Sequence, residues 1–231
     1  MKFLPLSALS LALAASSPAA VLNGDFSNPL TTGWSTLGDV SIITGAAFLT
    51  TASLTSPDDA PAVSGSANFS GVTAEETGGP SGPEVFSGLA AGGLDPNRGA
   101  GVFAFEASVI KQTFSVLAGD ILSFDWQLFT NEGANADYAY LTINGALTVL
   151  GRSADALAAS SPFANQNGVA TFTQAFSSAG SVTVAFGIVD TGDFNNSSAL
   201  RLDNVMIVPE PTVPLFGLVT VGALGLLRRR N

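Results

Sequence analysis

The chain has 231 residues, a formal net charge of −10, a mean hydropathy of +0.40, no cysteine and no histidine. The two missing residue types exclude disulfides, thiol nucleophiles, thiolate or imidazole zinc sites and Ser-His-Asp triads. Between residues 20 and 209, seventeen acidic residues stand against four basic ones, a net −13 that argues against nucleic acid or anionic lipid as partner. Neutral glycans, cationic partners and divalent metal stay compatible with it.

Residues 1–20 read as a secretory signal peptide that starts as a helix. Lys2 is the lone early charge, residues 3–15 are apolar with an interruption at Pro5, and residues 16–20 are small. Cleavage after Ala19 puts Ser17 at the minus-three position, a better fit than Pro18. The chain is therefore expected to be exported through the Sec translocon. Residues 21–208 have the size of one medium domain, with enough chain to build a core without disulfides.

Asn23-Gly24-Asp25-Phe26-Ser27 opens that domain, with Gly33-Trp34 soon after. This order resembles the opening of galactose-binding-like jelly-roll domains, a group that includes many carbohydrate-binding modules and bacterial surface β-sandwiches. Phe26 and Trp34 can equally be core residues of a first strand.

Residues 40–43 and 47–52 are two short β-like runs around Gly45, which predicts a hairpin-like turn. Residues 56–100 are loop-rich, punctuated by Pro57, Pro61, Pro80, Pro83, Pro96 and several glycines, with one edge strand expected near 67–72. A loop that long in a compact domain binds something or moves. Residues 102–105 and 110–116 are β-rich, with Ile110, Gln112, Phe114 and Val116 on one face by period two. A turn at 117–120 leads into 121–129, where Leu122, Phe124, Trp126 and Leu128 point one way and Ser123, Asp125 and Gln127 the other. Trp34 and Trp126 are expected in the core.

Residues 131–137 form a polar turn. Residues 138–143 and 147–150 then flank Asn144-Gly145, a strong hairpin signal. Residues 152–159 are compatible with a short helix capped by Ser153, and strand patterns resume at 169–176, 182–189 and 200–208. Eight to ten strands with turns between them, and no helical period outside the two ends, predict an all-β antiparallel sandwich, a jelly roll by resemblance.

Several constellations are candidates for function. The galactose-binding-like resemblance implies a structural calcium joining the first-strand motif to an Asp on the last strand, here Asp25 and Asp203, although Ser27 stands where the family carries a further acid. Calcium needs such carboxylate and carbonyl oxygens; surface aspartates at strand ends are the competing reading. Asp190 and Asp193 around Gly192 are a second acidic pair, or ordinary turn chemistry. Glu132, Asn135 and Asp137 precede Tyr138 and Tyr140, a grouping of rings, amides and carboxylates suited to a glycan, or a solvated hairpin turn with edge tyrosines. No motif places two carboxylates as a glycosidase pair, so the chain is read as non-catalytic, with a glycan hydrolase the least favoured alternative.

Residues 209–231 complete the chain: Pro209-Glu210-Pro211, an uncharged run over 213–227, then Arg228, Arg229 and Arg230. As a helix the run is roughly 22 Å long against a hydrocarbon core of about 30 Å, short but able to span with tilt and arginine snorkelling. The arginines should hold the C-terminus on the cytoplasmic side. The three parts in this order resemble the PEP-CTERM sorting signal of Gram-negative bacteria. That resemblance implies recognition by an exosortase, transient anchoring in the inner membrane, cleavage near the motif, and delivery to the cell surface, outer membrane or extracellular matrix alongside exopolysaccharide. The expected function is a non-catalytic surface or matrix protein; a carbohydrate-binding module is the alternative.

Overall fold

The computed structural model describes residues 20–54, 68–96, 102–133 and 137–210. Residues of the signal peptide, of the apolar tail and its arginines, and Asn135 lie outside the described residues. In chain order the strands are β1 Ser35–Leu37, β2 Asp39–Ile43, β3 Ala46–Thr50, β4 Glu75–Glu76, β5 Ala104–Val116, β6 Ile121–Thr130, β7 Tyr138–Ile143, β8 Ala146–Arg152, β9 Ala158–Ala159, β10 Asn165–Gln166, β11 Ala170–Ala175, β12 Gly180–Thr191 and β13 Ser198–Val208. One helical turn, α1 Pro83–Phe86, precedes β5.

All described pairings are antiparallel, and they make two sheets. The first runs β1-β5-β12-β7-β8, with β4 added beside β5; the second runs β2-β3-β13-β6-β10-β9, with β11 also on β6. The inner faces meet in one core, where Leu49, Phe124, Leu128, Leu200 and Leu202 of the second sheet pack against Ile110, Leu141, Val184 and Phe186 of the first. The period-two reading of β6 holds: Leu122, Phe124 and Leu128 are fully buried and Trp126 nearly so. Trp34 is buried as well, stacked on Phe26 at 5.5 Å and tilted on Phe186 at 6.1 Å. The fold is therefore a two-layer antiparallel β-sandwich.

Both expected hairpins form through the same chemistry. Thr44-Gly45 and Asn144-Gly145 carry φ of 49° and 77° in each pair. Positive φ at both central residues is the turn whose twist matches that of the strands it joins.

Four local expectations are corrected. Residues 102–105 and 110–116 are not two runs: β5 is one strand of 13 residues, because β12 pairs with it along nearly its whole length. No strand forms at 68–72, where Asn68 and Asp39 side chains take the backbone N–H groups that a ladder would need; the edge strand is β4 instead. The helix expected over 152–159 shrinks to a 3-10 turn, Ser153–Asp155, since Ala156 leaves helical geometry and β9 comes next. The polar stretch after β6 is not a hairpin turn, for it carries the chain from the second sheet across to β7 in the first.

Residues 83–95 fold over the outer face of the first sheet and enclose a second, smaller core of Leu94, Ala107, Val109, Tyr138, Tyr140 and Val189. Gly187 lacks a side chain because the Tyr140 ring lies where a Cβ would project. The cover is held by polar groups: the Glu84 carboxylate accepts from Gly92 N at 2.8 Å and Leu94 N at 3.2 Å, and Thr142 Oγ1 donates to the Ser87 carbonyl at 2.8 Å. Lys111 Nζ donates to the Phe86 carbonyl at 3.1 Å and sits 3.9 Å from that ring's centre.

Asp39 does the same for residues 68–72. Its buried carboxylate accepts from Thr50 Oγ1, from Phe69 N at 3.0 Å and from Ser70 N at 2.7 Å. Truncating it strands these three donors. Asp39→Ala should lower the unfolding free energy by about 2–4 kcal/mol in a urea titration, whereas Asp25→Ala, on an exposed turn, should leave the midpoint almost unchanged. Equal effects from the two variants would contradict this assignment.

Candidate functional site

The seam between the first turn and the last strand is the first place to build a site. The Gly24 carbonyl accepts from Val205 N at 2.8 Å, and a Cβ on Gly24 would collide with the Val205 carbonyl. Asn23 organises the turn: its carbonyl accepts from Trp34 Nε1 at 3.0 Å and its side-chain oxygen from Asn28 N at 2.9 Å. Asp25 is exposed and spent locally. Its Oδ1 accepts from Ser27 N at 3.2 Å and Ser27 Oγ at 2.9 Å, hydrogen bonds that hold the carboxyl below its usual range. Asp203 Oδ2 pairs with Arg201 Nη2 at 2.7 Å, and its Oδ1 accepts from Asn204 N at 2.8 Å.

The calcium expectation meets this geometry badly. A guanidinium already occupies one oxygen of Asp203, a backbone N–H takes the other, and Ser27 donates to Asp25 instead of supplying an oxygen beside it. Among the described residues no three acidic, histidine or cysteine side chains gather as a metal-holding group. These residues do not fit a calcium ion.

The second place is the end of the sandwich where β6 hands over to β7. Asp137 is fully buried; Oδ1 accepts from Thr191 N at 3.1 Å and Oδ2 from Ser198 Oγ at 2.6 Å, while its carbonyl takes Ser153 N at 2.7 Å. It thereby ties β7 to β12 within the first sheet and to β13 in the second. Burial, reinforced by the nearby Glu132 and Asp193 charges, pushes Asp137 up to about 7 against the pull of those two hydrogen bonds. Glu132 is also buried, with its Oε1 accepting from Gly133 N at 2.7 Å. Asp190 and Asp193 complete this acidic end, Asp190 buried and Asp193 accepting from Asn195 N at 2.7 Å.

Tyr138 and Tyr140 are not edge rings. They are 1% and 0% exposed beneath residues 83–95, with Tyr138 Oη donating to the Leu94 carbonyl and Tyr140 Oη hydrogen-bonded to Ser87 Oγ at 3.0 Å. Burial pushes both phenols well above their ordinary range. Neither offers a face to a sugar, and the glycan grouping expected around them is corrected accordingly: Asp137 ties the two sheets, Glu132 is buried beside Gly133, and the rings belong to the second core. Both tryptophans are buried too. The rings that reach the surface among the described residues are phenylalanines; three of them, Phe48, Phe69 and Phe129, cluster with buried Phe163 on the outer face of the second sheet at 5.7–6.2 Å between centres.

Sequence reading passed over Asp39 and Glu84, the two carboxylates that clamp the covering segments. Each left a signal. Asp39 heads a strand of mostly apolar residues, and Glu84 is a carboxylate directly after a proline at the start of a helical turn, though the N–H groups it takes lie downstream at Gly92 and Leu94.

No protein-family profile matches the chain, and no curated protein matches it. Among solved structures, one described as "CBM4 structure and function" overlaps 82% of this chain and 99% of its own, at 11% identity and a TM-score of 0.34. An overlap that loose carries no argument about ligand or activity.

The raised Asp137 has a measurable consequence. The folded chain keeps this proton to about pH 7, whereas an unfolded Asp releases it near 4. The stability this contributes is complete below about pH 4 and is lost as pH rises to about 7. The lowered carboxyls, Asp25 and Asp125, contribute in the opposite sense, above their ordinary value, and lose that contribution only in more acid solution. Thermal melts should therefore show a fall in Tm between pH 4.5 and 7.5 that Asp137→Asn removes; a variant with an unchanged slope would show that Asp137 is not its source.

Proposed function

We propose that this chain is an exported, non-catalytic β-sandwich of the jelly-roll, galactose-binding-like type, delivered by an exosortase to the cell surface or matrix of a Gram-negative bacterium. The observation that carries the sorting reading is the end of β13. The strand closes at Val208, and Val208, Pro209 and Glu210 are exposed, so the Pro-Glu-Pro motif starts directly off the domain with its first two residues open to solvent. A peptidase acting there needs an accessible, extended segment, which the two prolines favour. The seam of Gly24 on Val205, joining the first turn to the last strand, supports the galactose-binding-like form.

In this reading the Sec translocon, the inner membrane and the exosortase are transient partners, and exopolysaccharide is the environment the domain enters. A structural or adhesive role is favoured over a carbohydrate-binding one because both tryptophans and both tyrosines are buried, leaving none of the usual rings for stacking on a sugar. Hydrolysis is disfavoured for a related reason: Asp137 has both carboxylate oxygens engaged and no face open to a substrate.

Mass spectrometry of the protein recovered from outside the producing cell should give a C-terminus close to Pro209, Glu210 or Pro211, without Arg228 to Arg230. Intact arginines in that fraction would remove the sorting reading. Separately, the exported protein should pass unretarded through a column of the producer's own polysaccharide; specific retention would instead favour the carbohydrate-binding module.

A further inference from the structure

One lateral wall of the sandwich differs from the rest in charge and in the state of its sheet edges. In the first sheet β8 is the outermost strand, and in the second β11 lies outermost beside β6. The two edges lie on the same side. A Cβ on Gly151 of β8 would approach the Trp126 ring of β6 to 2.8 Å, while Ala170 of β11 is the register partner of that same Trp126. At one end of this wall, Ile143 and Asn144 of the β7–β8 hairpin share a shallow depression with residues 174–182 of the β11–β12 connection.

This wall carries almost no charge. From residue 138 to residue 189 the charged side chains are Arg152 and Asp155 alone, in a domain whose net charge is −13. Ala146, Leu147, Thr148 and Val149 of β8 are all exposed, and among the described residues β8 has β7 as its one ladder partner. Leu147 and Val149 stand opposite Thr142 and Tyr140, hence on the outer face of the first sheet, 36% and 38% exposed. Natural edges of this length are ordinarily blunted by lysine, proline or an inward charge. The first sheet's other margin, β1, is three residues long, and β2 in the second has its Asp39 and residues 69–70 across it. β8 has a bulge at Leu150, near its far end, but residues 146–149 before it hold no lysine, proline or charge.

We infer that β8 is an interaction surface for a second copy of this chain, the two β8 strands pairing antiparallel about a two-fold axis and joining the first sheets of both copies into one. Charge restricts where two copies can meet: between domains of net −13, contact through this wall brings no run of carboxylates together, and physiological salt screens the remaining repulsion beyond about 8 Å. The sequence of the edge is self-complementary as well: a two-fold centred on Thr148 sets Leu147 opposite the partner copy's Val149, twice, giving two apolar cross-strand pairs on one face. The inference stands on the sheet margins and the charge distribution, independent of how the chain is sorted.

The chain lacks cysteine, so Thr148→Cys introduces its sole thiol, placed where the two-fold would bring it against its own copy. In the full chain, oxidised with copper phenanthroline, this variant should form a covalent dimer about tenfold faster than Ser35→Cys, which puts the thiol on the opposite margin of the same sheet. Adding Leu147→Lys and Val149→Lys should abolish the difference, with Tm retained as evidence of folding. Cross-linking of Thr148→Cys no faster than Ser35→Cys overturns the inference, as does cross-linking that survives the paired lysines. Because the readout is dimer formation and not the C-terminal mass, its failure is separable from failure of the sorting reading.

Discussion

The structure depends on buried carboxylates that accept backbone N–H groups. Without disulfides, the long excursions between strands have to be fixed by something other than covalent bonds, and the chain uses Asp39 for residues 68–72, Glu84 for residues 83–95, and Asp137 for the crossing from one sheet to the other. A carboxylate brings two oxygens and several lone pairs to one point, so one side chain can gather donors from two segments. Burial of the charge opposes this, and the hydrogen bonds offset it. Asp137 marks where the balance tips: its desolvation, with Glu132 and Asp193 close by, outweighs two good donors. The acidity of the domain is thus partly internal architecture and not only a surface property.

The second core is a consequence of that constraint. Because Glu84 holds residues 83–95 down, the outer face of β5, β12 and β7 can carry Val109, Val189 and two tyrosines where an uncovered sheet would carry polar side chains. A long segment with scarcely any regular structure becomes a third layer. The tyrosine hydroxyls finish it by meeting Ser87 and the Leu94 carbonyl on the covering segment itself.

Much of the sandwich was legible in the sequence because its signals are local. The alternation in β6, the turn at Asn144-Gly145 and the apolar strand at the C-terminal end of the domain each depend on neighbours in the chain. What was illegible depends on distant partners. The tyrosines read as edge residues because nothing in residues 131–140 announces that a segment about fifty positions before them will cover them. Asp203 read as a free ligand because the cue that consumes it, Arg201 on the same face two residues before, competes with the family pattern rather than with the periodicity. The short helix after β8 failed because β9, β10 and the end of β6 pair with one another, a tertiary gain that outweighs modest helix propensity. The Pro-Glu-Pro tail is a motif in the sequence, and the described structure reaches only its first two residues.

The position of β13 has a mechanical meaning. It is an interior strand over Ala199–Leu202, between β3 and β6, and its far end, paired with β6 through Val208, is the point from which residues 209 and 210 emerge. A pull applied through Glu210 runs along the strand axis, so both ladders are loaded lengthwise and their hydrogen bonds have to yield together rather than one at a time, as they would if an edge strand were peeled away. A chain end drawn from the middle of a sheet is a sturdy handle for any load applied at the C-terminal end of the domain.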